Sequence, residues 1–92
     1  MIRRPRLKLY YANATDANDV TNSLDFMIVA NDADRAMKLW EEIVLEIMER
    51  APEKGELVCM MLVAEDASSL PLAAAGERAI PWNEFPAVWR KN

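Results

Sequence analysis

The feature that most constrains the fold is a stretch in which apolar side chains recur at every third or fourth position. Pro52 and Gly55 interrupt the stretch at its end. Apolar residues at this spacing form one face of an α-helix, and that face is buried against another element. The helix is predicted to start at a cap on Asn31 or Asp32 and to run to about Arg50. Its apolar stripe consists of Ala33, Ala36, Met37, Trp40, Ile43, Val44, Ile47, Met48 and Ala51.

Three other segments have the periodicity of β-strands. Residues 6–12 and 24–30 alternate between two faces, as a strand does. Residues 56–64 are apolar on both faces, which is typical of an interior strand. Residues 13–23 are rich in Asn, Asp and Thr, and they predict a loop between the first two strands. Residues 65–76 are small and turn-like, with room for one helical turn.

The order strand, strand, helix, strand predicts one small α+β domain that spans residues 1–92. We expect a three-stranded sheet, mixed or antiparallel, in the order β-β-α-β, with the amphipathic helix on one face. The first strand lies either between the other two strands or beside them. Residues 1–5 are predicted to form a basic N-terminus, and residues 77–92 an aromatic C-terminal tail that docks on the domain.

One helix covers only one face of such a sheet, and the other face also has apolar residues. Because a large apolar face is not left in water, we expect the tail or a second subunit to cover it. The residues expected on this face include Tyr10, Met27 and Val29, and the tail residues expected to cover it are Trp82, Phe85 and Trp89.

The composition argues against most catalytic chemistry. The chain contains no His, which is the commonest general base and the commonest metal ligand. Its single cysteine, Cys59, lies in an apolar segment and is predicted to be a buried structural thiol. Asp16, Asn18 and Asp19 resemble the start of a calcium loop, but the glycine and the closing glutamate of that loop are missing. We expect no catalytic, cofactor-binding or metal-binding residue and no enzyme activity.

The sequence predicts a cytoplasmic protein that does not enter a membrane. The longest apolar run, residues 57–64, is far shorter than the roughly 20 residues of a transmembrane helix. No stretch has the charged start, apolar core and small-residue cleavage site of a secretion signal. A single cysteine also fits a reducing compartment.

The net charge of −4 is spread unevenly along the chain. Residues 9–89 contain five bases and all 15 acids, a net charge of −10, whereas both ends are basic. An acidic body repels nucleic acid and is attracted to basic protein surfaces. The basic cluster Arg3, Arg4, Arg6 and Lys8 either grips phosphates or, as we expect, solvates an edge strand. We therefore expect a protein partner with a basic surface and no direct contact with nucleic acid.

The predicted helix has a row of carboxylates opposite its apolar stripe. Leu45 projects from this polar face, and an exposed apolar side chain ringed by carboxylates is a candidate hot spot. The alternative is a solvated face that is neutralised within the helix, because Lys38 lies four residues before Glu42. Glu46 likewise lies four residues before Arg50. The predicted partner-binding residues are Asp32, Asp34, Glu42, Leu45, Glu46 and Glu49.

The strand-turn-helix passage from Phe26 to Trp40, FMIVANDADRAMKLW, lies in a short, acidic chain without His. In this combination the sequence resembles small bacteriophage and mobile-element proteins, of which anti-CRISPR inhibitors are one group. The resemblance assigns no residue role, but it implies a protein that occupies a partner's surface, often a basic surface that binds nucleic acid. We therefore expect a non-enzymatic phage-type inhibitor of a nucleic-acid-handling complex, acting in the cytoplasm of the host cell. The alternative is a small ligand-sensing or assembly module that forms a homodimer through its open sheet face.

Overall fold

The computed structural model describes residues 6–16, 18–53, 55–57 and 59–85. The predicted basic N-terminus, residues 1–5, and residues 86–92 of the predicted tail lie outside the described residues. The α+β class is confirmed. The regular elements are β1 (Lys8–Asp16), β2 (Asp19–Ala30), α1 (Ala33–Met48), β3 (Met60–Ala64), a 3-10 turn (Pro71–Ala73) and β4 (Arg78–Pro81).

In the described residues the sheet has four strands rather than the predicted three. Its strand order is β3-β1-β2-β4, and each pair of neighbours is antiparallel. β1 therefore lies between β2 and β3, which is one of the two arrangements that the sequence left open. The fourth strand comes from the predicted tail, because Arg78–Pro81 pairs with β2. The predicted tail therefore contributes a strand to the sheet.

The predicted loop at residues 13–23 is also wrong, because β1 and β2 form a long hairpin there. Ala14 pairs with Leu24, and only a tight turn separates the two strands. In that turn the backbone N–H of Asn18 donates to Asp16 Oδ1 at 2.8 Å. The polar side chain of Asp16 therefore supports the turn. Ala14, which lies among polar residues in the sequence, is buried in the core.

The start of α1 is as predicted, and its end is not. Asp32 is the N-cap, and its Oδ1 accepts a hydrogen bond from the backbone N–H of Arg35 at 2.8 Å. The helix ends at Met48 rather than near Arg50, because Glu49 adopts a left-handed conformation with φ of 58°. The stripe residues buried in the core are Ala36, Trp40 and Val44, which pack with Tyr10, Ala12, Phe26 and Ile28 of the sheet.

The sheet face opposite α1 is covered by the chain between β3 and β4. Met27 and Val29 lie on this face as expected, and they pack with Ala67, Leu72 and Ala73. The last two belong to the 3-10 turn. The segment that the sequence left as turn-like is therefore a second layer over the sheet, and the predicted open face is covered within the chain.

The aromatic residues need two corrections. Tyr10 lies under α1 and is buried, although it was expected on the opposite face. About half of Trp82 is exposed, and its ring stacks on Phe85 with 5.4 Å between the ring centroids. Phe85 packs against the cluster on the sheet face that the tail was expected to cover, and Trp89 lies outside the described residues.

β3 is shorter than predicted, and it is an edge strand rather than an interior one. The chain before it already follows β1, because the N–H of Thr15 donates to the Glu56 carbonyl at 2.8 Å. The N–H of Asn13 donates to the Cys59 carbonyl at 3.1 Å. Cys59 is partly buried rather than fully buried.

Candidate protein-binding site

The predicted partner-binding residues lie along the outer face of α1 and at its start. All the carboxylates among them are exposed, and Leu45 at their centre is 50% exposed. The helix brings Glu42, Leu45 and Glu46 onto one face, Glu49 follows directly at its C-cap, and Asp32 and Asp34 lie at its N-terminal end.

The alternative interpretation, in which Arg50 neutralises Glu46 within the helix, is wrong. Arg50 lies beyond the helix end and donates to Glu56, with Nη1 2.8 Å from Oε1 and Nη2 2.5 Å from Oε2. Its Nη2 also lies 3.2 Å from Asp16 Oδ1. The hydrogen bonds with Glu56 hold the pKa of the Arg50 guanidinium above its ordinary value. The charge of Arg50 is therefore used to join the helix end to the β1–β2 hairpin.

Lys38 is the other cation that neutralises the helix face in the alternative interpretation. It forms no ion pair with any residue that the structure describes. Arg35 pairs instead with Glu77, with 3.2 Å between Nε and Oε1. The outer face of α1 therefore keeps an excess of negative charge. Its charged residues are Asp34, Glu41, Glu42, Glu46 and Glu49 against Lys38.

Asp32 differs from the other predicted site residues because its carboxylate also holds the helix start. One oxygen caps α1 through the N–H of Arg35. The adjacent Asn31 is fixed as well, since its N–H donates to Glu77 Oε2 at 2.8 Å and its carbonyl accepts from Lys8 Nζ at 3.0 Å. These contacts set the direction in which α1 presents its acidic face.

A cleft of about 660 Å³ lies between α1 and the turn that follows β4. Its lining includes Ile43 and Ile47 of α1 and the ring of Trp82, together with the carboxylates Glu46 and Glu84. Ile47 was expected in the buried stripe, but it is 43% exposed because it borders this cleft. Sequence reasoning missed the cleft, since no periodicity shows that the turn after β4 lies opposite the end of α1.

Leu45 borders a second, smaller concavity of about 240 Å³. A side chain beside a concavity can be enclosed by a partner, and enclosure from water is what makes an interface residue a hot spot. The other residues that line this concavity are Lys38, Glu41, Glu42, Ala51 and Pro52.

A hydrogen-bonded tyrosine–aspartate pair lies in the hairpin, on the sheet face opposite α1. The Tyr11 hydroxyl donates to Asp25 Oδ1 at 2.5 Å. This hydrogen bond, with burial and the Asp25 charge as smaller causes, raises the pKa of Tyr11 to about 12. The pair joins β1 to β2 and lies apart from the acidic helix face.

The bases of the predicted N-terminal cluster that the structure describes contact this chain. Lys8 donates to Asn31, and Arg6 Nε lies 4.0 Å from Asp66 Oδ2. Arg3 and Arg4 lie outside the described residues.

Within residues 6–16, 18–53, 55–57 and 59–85, no group of three or more His, Cys, Asp or Glu side chains could hold a metal ion. No α-helix in the same residues is long and apolar enough to cross a membrane. No protein-family model matches the chain, and no match was found among curated proteins or solved structures. The site is therefore interpreted from its own residues.

Proposed function

We propose that this protein is a non-enzymatic binding module whose acidic α1 face engages a basic surface of a partner protein. The observation that carries the proposal is the un-neutralised charge of this face, since Arg50 is held by Glu56 and Asp16. Carboxylates without a nearby cation attract opposite charge across an interface, which speeds association and selects the partner. The same carboxylates repel phosphates, so the partner is a protein and not a nucleic acid.

Leu45 is the apolar anchor of this surface. In the free protein, half of the Leu45 side chain is in water and contributes little to stability. Complete burial against a partner removes the remaining apolar surface from water and so favours binding. Because buried anchors mainly slow dissociation, Leu45 and the carboxylates contribute to different rate constants.

The cleft beside Trp82 extends the surface to one side of the acidic face. A Lys or Arg side chain of the partner fits its chemistry, with the aliphatic stem against Ile47 and Trp82. The cation would then lie near the Trp82 ring and the carboxylates of Glu46 and Glu84. Glu46 belongs to both the cleft and the helix face, so the two form one continuous surface.

The resemblance to anti-CRISPR inhibitors suggests which kind of partner this surface binds. In this proposal the protein acts in the cytoplasm of a host cell and covers the basic nucleic-acid groove of an RNA-guided complex. Such a groove is lined with Lys and Arg to hold phosphates, so an acidic surface with an apolar anchor complements it.

The proposal is tested by adding the purified protein to purified RNA-guided nuclease complexes and measuring their binding to target DNA. We expect the protein to prevent DNA binding by at least one complex. Charge reversal at Glu42 and Glu49 should lower the association rate about tenfold at low salt and weaken its salt dependence. Leu45→Ala should instead raise the dissociation rate, and surface plasmon resonance at two salt concentrations separates the two effects.

Glu65→Lys is the matched control for Glu42→Lys, because Glu65 is also exposed but lies outside α1. The control should change the association rate much less than Glu42→Lys does. Equal effects of the two substitutions would show that net charge, and not the helix face, drives association. No inhibition of any complex would remove the inhibitor function, and inhibition that all these substitutions leave unchanged would place the site elsewhere.

A further inference from the structure

The edge strand β3 exposes a run of large apolar side chains. Met61 is 53% exposed, Leu62 44% and Val63 48%. Leu62 pairs with Tyr10 and Met61 with Tyr11, which are on opposite faces of the sheet, so both faces of β3 are open. The strand Met60–Ala64 contains no charged residue.

Both covering layers reach only the ends of β3, where Met60 packs against the cluster under α1 and Ala64 against the cluster on the other face. The buried residues of α1 pack on β1 and β2, and the second layer packs on the same two strands and on β4. Within the described part of the chain, no strand pairs with the outer side of β3. Its outward backbone groups are therefore a template for another strand.

The opposite edge of the sheet is protected in the ways that proteins commonly use. β4 has only four residues, it begins with the charged Arg78, and it ends with Pro81. A short edge strand with a charge and a proline is a poor template for strand addition. The β4 edge is therefore a poorer template than the β3 edge, whose five residues include no charged residue and no proline.

We propose that β3 pairs with β3 of a second copy of this chain, antiparallel and centred on Leu62. This register places Leu62 opposite Leu62 of the other copy and Met61 opposite Val63, so apolar side chains meet on both faces. Glu65 then lies opposite Cys59 of the other copy, and no carboxylate faces another. A parallel in-register pair would place Glu65 against itself, which is destabilising.

The pairing joins two four-stranded sheets into one continuous sheet with both helices on the same side, since the two-fold axis is perpendicular to the sheet. Three half-exposed side chains per copy bury less area than the about 1,200 to 2,000 Å² of a standard interface. Val63 also lacks a direct partner on β1, a bulge that increases twist at the edge. We therefore expect a weak dimer, with a Kd of about 10 to 100 µM.

Sedimentation velocity of the whole chain from about 5 µM to about 1 mM, a range that spans this Kd, tests the proposal. The wild-type protein should change from monomer to dimer across this range. Leu62→Lys should keep the protein monomeric, because a Lys on an edge strand opposes pairing. Ile47→Lys is the matched control, since Ile47 is 43% exposed against 44% for Leu62, and the same charge is added away from β3. If Leu62→Lys does not fold by circular dichroism, Val63→Lys replaces it.

A cysteine substituted for Leu62 tests the proposed register of the β3–β3 pair directly. In a Cys59→Ala background, Leu62→Cys should form an intermolecular disulfide under mild oxidation, because opposed Cα atoms of antiparallel strands are about 4.5 to 5.5 Å apart. Ile47→Cys in the same background should not. A wild-type protein that stays monomeric at about 1 mM, well above the expected Kd, would overturn the proposal. Equal cross-linking at both positions, or dimers that Leu62→Lys leaves intact, would also overturn it.

The proposed dimer and the proposed partner binding are tested by different substitutions, so either proposal can be refuted without the other. Charge reversal at Glu42 and Glu49 should leave the sedimentation of the protein unchanged, because neither residue lies on β3. Leu62→Lys should leave inhibition through the α1 face in place at concentrations where the wild-type protein is a monomer.

Discussion

Removal of the Trp40 ring is expected to leave the domain close to unfolding. Trp40 is 3% exposed between α1 and the sheet, and its Nε1–H donates to the Asn13 carbonyl of β1 at 2.8 Å. Trp→Ala in a core costs about 3 to 5 kcal/mol, and the lost hydrogen bond adds about 1 kcal/mol. Domains are stable by about 5 to 15 kcal/mol, and a small one lies toward the lower end of that range. Trp40→Ala therefore removes most of the free energy of unfolding.

Urea unfolding followed by far-ultraviolet circular dichroism measures this loss without using tryptophan fluorescence. Trp40→Phe keeps most of the ring and loses the donor, so it should cost about 1 to 2 kcal/mol. Leu45→Ala on the same helix is the control, because this half-exposed side chain should change the free energy of unfolding by only about 0.5 kcal/mol. A Trp40→Ala variant with the wild-type midpoint and an unchanged m-value would refute the argument that this ring organises the core.

Three further outcomes are expected. Glu56→Gln should lower the free energy of unfolding by about 1.5 to 3 kcal/mol, because the buried carboxylate accepts charge-assisted hydrogen bonds, and urea unfolding measures this loss. In a Tyr10→Phe background, the tyrosinate absorbance should report a pKa of about 12 for Tyr11, and Asp25→Asn should move it toward 10. Because the folded-state pKa is raised, the Tyr11 contribution to stability is complete below pH 10 and is lost as the pH rises through about 12. Trp82→Ala should leave the protein folded and weaken inhibition of the partner complex about tenfold in a titration, since it removes one wall of the cleft.

The helix could be predicted because its signals are local. The apolar stripe and the Asp32 cap depend on residues within a turn or two of each other. The end of the helix was misplaced because Glu49, a residue that rarely adopts φ above zero, turns the chain out of the helix. The misplaced helix end also explains why the predicted pairing of Glu46 with Arg50 is absent. A spacing of four residues brings two charges together only if both residues are helical.

The errors in the sheet have a different cause, because the neighbours of a strand are chosen by distant parts of the chain. Residues 56–64 are apolar on both faces, a pattern shared by an interior strand and by an edge strand that binds another chain. Residues 13–23 look like a loop by composition, yet Ala12 and Ala14 alternate with polar side chains and pair across a hairpin. β4 has only four residues and ends with Pro81, so it is too short for its alternation to be detected before β2 is placed beside it.

The distribution of charge links the fold to the proposed function. Arg35, Lys8 and Arg50 each make contacts that hold an end of α1: the first two at its start, through Glu77 and Asn31, and the third after its end. These cations therefore stabilise the placement of the helix and do not screen its outer carboxylates. A surface that served only solubility would mix both signs of charge, whereas here one sign is concentrated around an exposed leucine and two concavities. Comparing charge reversal on this face with the same reversal at Glu65 is consequently the measurement that separates recognition from solubility.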